Sequence, residues 1–133
     1  MEENRRERAE RMLDHIFTPA WRNQRSEGPP PSQATQDFSR LCTEHCYADS
    51  WAREGRLDLK TRSLVTIATI VSLGSTEELK LHIRGALNLG HEPDDIVELF
   101  IHLLPYLGTP RLTHAMSCAR EVFDQTAASS EKQ

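Results

Sequence analysis

A chain of 133 residues is one domain's worth of sequence, enough for a single packed core. Its 38% hydrophobic and 27% charged residues fit a globular protein in water, and the net charge of -4 argues against a nucleic-acid or anionic-membrane partner, either of which calls for a basic surface. The apolar run from Leu64 to Leu73 is too short to span a bilayer, and the start, Met1-Glu-Glu-Asn-Arg-Arg, lacks the apolar core of a secretion signal. Cys42, Cys46 and Cys118 follow no disulfide framework, so a reducing compartment, the cytoplasm, is the expected location.

Taken in order, residues 2 to 17 alternate charges and then give Met12, Leu13, Ile16 and Phe17 at helical spacing. This predicts a helix that docks at its C-terminal end with its charges in solvent. Residues 18 to 34, with Pro19, Gly28 and three consecutive prolines, read as a linker in which Trp21 packs as an anchor. Thr35 is an N-cap candidate for a helix to about Trp51, with Phe38, Leu41 and Cys42 toward the core and His45 and Asp49 sharing a face.

Asp58 is placed to cap a helix that is apolar nearly all round, and Gly74 stops it. Ser75-Thr-Glu-Glu78 matches a capping box opening a helix to Gly90. Pro93 with Asp94 and Asp95 starts the next, which Pro105 should end or kink, and Thr109-Pro110 starts a last helix through about Thr126. The expected class is all-α, a compact bundle of about six helices, divided as an N-terminal helix and linker (1–34), a helical domain (35–126) and a frayed tail (127–133).

The chemistry centres on Glu78-Leu-Lys-Leu-His82. Positions four apart on a helix lie one above the other, so Glu78 and His82 meet side by side, with Gly85 next on the stripe. An imidazole with an ordinary pKa of ~6.5 gives or takes a proton near neutrality, and a neighbouring carboxylate fixes its tautomer. The competing reading is structural: Glu78 as a cap and His82 as a packed side chain. His45 with Asp49, and Glu98 with His102, repeat the spacing. A di-iron bundle needs Glu-x-x-His at three-residue spacing, so no metal is expected. Cys42 with Cys46 and His114 with Cys118 read as half-buried groups rather than ligands, and His91 as a surface residue. Lys60, Arg62, Arg84 and Arg111 are candidates for holding a carboxylate, Arg62 above all because it opens the most apolar helix.

Three stretches carry a resemblance. They are Ala48-Asp-Ser-Trp51 running on through Leu57-Asp-Leu-Lys-Thr-Arg62 to Ala68, then Glu78-Leu-Lys-Leu-His82 to Gly90, and Tyr106-Leu-Gly108-Thr-Pro110. From about Phe38 to Phe123 the chain resembles the carboxymuconolactone decarboxylase family, and the segment around His45 and Tyr47 is similar to its γ-carboxymuconolactone decarboxylase branch. The resemblance implies an all-helical fold assembled as homo-trimers or homo-hexamers, an active site near subunit contacts, and no cofactor. Alkylhydroperoxidase-like relatives carry Cys-x-x-Cys before the histidine. This chain has Ser75 and Glu78 there, which removes dithiol exchange and leaves acid–base chemistry. Departures at Asp49, Gly85, Leu89 and Pro105 bear on the substrate more than on the fold.

The expected activity is therefore cofactor-independent decarboxylation of γ-carboxymuconolactone or a similar lactone acid. His82 would deliver a proton to carbon, Glu78 would orient it and Arg62 would bind an anionic oxygen. His45, Asp49, Trp51, His102 and Tyr106 would contact the substrate. An isomerase or cyclase acting on another activated carbonyl, and a non-catalytic oligomeric binding protein, are the alternatives.

Overall fold

In a computed structural model, residues 2–19 and 28–131 are described. Among them are six α-helices and one π-helix: α1 (Arg5–Phe17), α2 (Gln33–Thr43), the π-helix (Glu44–Trp51), α3 (Leu59–Leu73), α4 (Thr76–Asn88), α5 (Pro93–Leu107) and α6 (Thr109–Glu131). No strand occurs among the described residues, so the all-α expectation holds. Trp21 and the chain beyond Glu131 lie outside them. No described helix is long and apolar enough to cross a membrane. The chain divides into two compact units, Met1–Asp58 and Leu59–Gln133.

In the first unit, Asn4 caps α1 reciprocally: its Oδ1 accepts from the Glu7 amide at 2.9 Å, and the Glu7 carboxylate accepts from the Asn4 amide at 3.1 Å. Ala9, Met12, Ile16 and Phe17 form the buried face of α1, which packs on the π-helix. The charges of α1 do more than meet solvent. Arg5 donates to Asp49 at 3.0 Å and lies 3.4 Å from Glu44, a buried carboxylate whose same oxygen Arg40 approaches at 3.6 Å.

Helix α2 starts earlier than Thr35 because Ser32 supplies the cap, accepting from the Thr35 amide at 3.2 Å. Contrary to expectation, Phe38 and Leu41 are exposed and α2 has no buried residue. From Glu44 the winding widens to the π form and closes with the Ala52 amide donating to the Tyr47 carbonyl, an i to i+5 bond of 3.1 Å.

In the second unit, α3 packs on α4 and α5, α6 packs on the same two helices, and α3 and α6 also touch. The core between them is Ile67, Val71, Leu79, Ile83, Ile96, Phe100, Ala115, Ala119 and Val122. Helix α3 is not buried all round: Val65 is 57% and Leu73 73% exposed. Two of its threonines bond their own backbone, Thr66 to the Arg62 carbonyl at 2.8 Å and Thr69 to the Val65 carbonyl at 2.9 Å, which satisfies these hydroxyls among apolar neighbours.

Gly74 ends α3 at φ +73, a left-handed conformation that favours glycine, while the Arg111 guanidinium lying over it is the end of a flexible side chain that could move aside. Pro105 neither ends nor breaks α5, which continues to Leu107. It falls in the last turn on an exposed face, where the Ile101 carbonyl that loses its donor can turn to water. Helix α6 runs past Thr126 to Glu131.

Candidate active site

Helix α4 carries the central pair, and its local geometry goes against the capping reading of Glu78. Ser75 occupies the N-cap position in an extended conformation but makes no side-chain cap hydrogen bond, so the expected capping box does not form. The Glu78 carboxylate instead reaches along the helix, with Oε2 3.8 Å from His82 Nε2. The two ends of the pair sit in different media: the His82 side chain is 7% exposed and that of Glu78 is 60%. Gly85, next on the stripe, is buried.

Burial pushes the His82 imidazole down to about 4, because the charged ring would lose its hydration. The Glu78 carboxylate does not offset this, since it stands in water, where its field is screened, and beyond hydrogen-bonding distance. At neutral pH the ring is therefore uncharged, with one nitrogen holding a proton and the other a lone pair. The expectation of a general acid changes accordingly: a charged, proton-loaded ring is not the resting state at neutral pH.

The flank of α4 toward α6 is closed by other pairs. Thr76 Oγ1 lies 3.0 Å from His114 Nε2, Lys80 Nζ 2.7 Å from Glu121, and Arg84 donates to Gln125 at 2.6 Å. At 100° per residue, His82 stands about 200° round the helix from Lys80, on the flank away from these contacts. Cys118 lies 3.8 Å from His114 Nε2, but burial pushes its thiol up, so it stays protonated and unreactive.

The other predicted residues fall into local groups. Arg62 is half-buried in the first turn of α3, which packs on α4. His102 and Tyr106 face solvent on α5 with ring centroids 5.9 Å apart. His45, Asp49 and Trp51 all lie on the π-helix of the first unit. His45 is 84% exposed and 3.9 Å from Asp49, whose carboxyl the Arg5 guanidinium holds below the usual carboxylate range. Trp51 is buried and stacked on Tyr47, with ring centroids 6.3 Å apart. Among the described residues no three His, Cys, Asp or Glu side chains converge as a metal would require.

His91 was expected at the surface and is buried. The turn after Gly90 folds back so that the His91 amide donates to the Ala86 carbonyl at 3.0 Å, and the ring falls between the first turns of α3 and α5. Nε2 lies 3.0 Å from the Lys60 carbonyl, an acceptor only, so that nitrogen carries the proton. Nδ1 is 3.4 Å from the Asp95 carboxylate. The sequence signal for this latch is the Gly90 turn with Asp95 four residues after His91.

Fold and pair together define the class: an all-α protein with a buried imidazole and an exposed carboxylate one turn apart on one helix. The profile of the carboxymuconolactone decarboxylase family matches residues 36–121. The 4-carboxymuconolactone decarboxylase of Acinetobacter baylyi is 39% identical over 97 residues, 73% of this chain and 72% of that one. Nitrosuccinic acid decarboxylase npaB of Metarhizium robertsii is 40% identical over 82 residues, 62% of this chain and 57% of that protein. An uncharacterized 15.0 kDa protein of Paracoccus denitrificans is 33% identical, with 60% of each chain covered. The chain belongs to the carboxymuconolactone decarboxylase family, and it is an enzyme of the carboxy-lyase type.

Proposed function

We propose that this enzyme decarboxylates 4-carboxymuconolactone (γ-carboxymuconolactone) or a closely similar unsaturated lactone acid, without a cofactor. The observation that carries the reading is the buried His82 beside Glu78 on α4, inside the span matched to the family. When the carboxylate leaves as CO₂, its electron pair passes through the conjugated alkene to the lactone carbonyl, and carbon must then receive a proton. A water-poor setting favours loss of the carboxylate, and a ring nitrogen at its edge delivers the proton. Arg62 is proposed to hold an anionic oxygen of the substrate, since its planar fork matches a carboxylate.

His45, Trp51, His102 and Tyr106 are proposed as substrate-binding residues. Asp49 is proposed as a more distant contact because Arg5 already occupies it. Assembly as a trimer or hexamer is part of the proposal, supported by exposed Ile101, Leu104 and Tyr106 in a stretch of α5 without a charge, and by exposed Val65 and Leu73. A second substrate reading has its own support in the nitrosuccinic acid relative: a nitro group, like a conjugated lactone, accepts the electron pair that CO₂ leaves behind.

The test incubates purified protein with each acid and follows CO₂. Release from the lactone acid is expected, falling on the order of 10²-fold or more in a folded His82→Gln variant. Conversion of the lactone acid to an isomer without CO₂ would overturn the proposal, and undiminished turnover by the variant would overturn the role of His82.

A further inference from the structure

Each decarboxylation consumes a proton: the carbon–carboxyl bond breaks, CO₂ departs without the electron pair, and a C–H bond forms on that pair. His82 has almost no contact with the solvent that must resupply this proton, its side chain being 7% exposed. Glu78, one turn earlier on the same face, is 60% exposed and ends 3.8 Å from the inner ring. Glu78 thus spans from water to the Nε2 side of the buried imidazole.

We propose that Glu78 is the solvent port of a proton relay, taking a proton from bulk water and passing it to His82 Nε2, which gives it to the substrate carbon. The inference rests on the decarboxylation reading and adds the route of the proton to it. The steps balance. Glu78 gains a proton from water and loses it to Nε2, and the doubly protonated ring then loses that same proton to carbon. The carboxylate and the neutral ring are restored with the Nδ1 proton unmoved. A ring whose burial disfavours its charged form keeps the extra proton briefly and gives it up readily. Glu78 acts through His82 and does not touch the substrate.

The experiment uses Glu78→Gln, which keeps the size and a polar head but holds no transferable proton, beside Glu78→Ala. With an active wild type, CO₂ release should fall on the order of 10²-fold in Glu78→Gln. In Glu78→Ala it should be restored in proportion to added formic acid buffer at fixed pH. A group that only orients the ring would leave Glu78→Gln close to wild type and give no buffer dependence, and that result overturns the relay. A measurement free of turnover separates this failure from that of the decarboxylase reading. NMR relaxation dispersion on the His82 ring, near its titration midpoint, reads the rate of proton exchange on the microsecond to millisecond scale. The relay predicts an exchange about tenfold or more slower in Glu78→Gln, consistent with loss of one acid–base step. Equal rates contradict it even if neither acid is the substrate.

Discussion

Two of the acid–histidine pairs that stand four residues apart in this chain end in opposite states. On the π-helix of the first unit, His45 is 84% exposed and its partner Asp49 is already taken by Arg5. On α4 of the second unit, His82 is 7% exposed and its partner Glu78 makes neither the capping bond expected of it nor a direct hydrogen bond. The wider π winding also moves the first pair off the strict one-turn stacking of an α-helix. Spacing brings an imidazole and a carboxylate within about 4 Å in both places, but only the second of these two imidazoles is buried and, among the described residues, no cation is paired with its carboxylate; that difference supports the proton-transfer role proposed for it.

The comparison breaks or sharpens first through pH and stability. His82 has a folded-state value of about 4, below the ordinary 6.5, so the unfolded chain binds the proton more readily. Its neutral form carries no penalty above pH 6.5, and stability is lost as pH falls from there through about 4. A shift of that size corresponds to roughly 3 kcal/mol. Urea unfolding at steps between pH 7 and pH 4 should show that loss in the wild type and in His45→Gln. In His82→Gln the His82 share of the slope should vanish. A slope that follows His45 instead would reverse the assignment of the two pairs.

A smaller effect is expected from the first pair. Asp49→Asn removes the Arg5 ion pair at the surface, and it should lower the melting temperature slightly at low salt and not at all at high salt. A large salt-independent loss would show that the pair holds the π-helix in place.

Much of this was legible in the residues. The apolar spacing, the glycines at 74 and 90 and the Pro93 start placed α3 to α6 within a turn or so, because each rests on local backbone chemistry. The Glu78 and His82 pair followed from the helix period alone. What the residues did not disclose depends on tertiary contacts. Nothing local marks the change to π winding at Glu44, which goes with a carboxylate buried between Arg5 and Arg40. An apolar helix reads as buried, yet Val65 and Leu73 face outward, because apolar composition does not say which neighbour covers each face. His91 reads as a turn residue, and only the fold-back after Gly90 buries it. Ser75 to Glu78 fits a capping box and an acid–base pair equally well as a pattern, and the choice lies in the Glu78 rotamer.

The central claim is that burial keeps the His82 ring neutral at physiological pH beside a carboxylate that stays in water. The most direct measurement is an NMR titration of the His82 ring in the intact protein. The account predicts a midpoint near 4, with the ring uncharged at pH 6. A midpoint near the 6.5 of a solvated imidazole would contradict it.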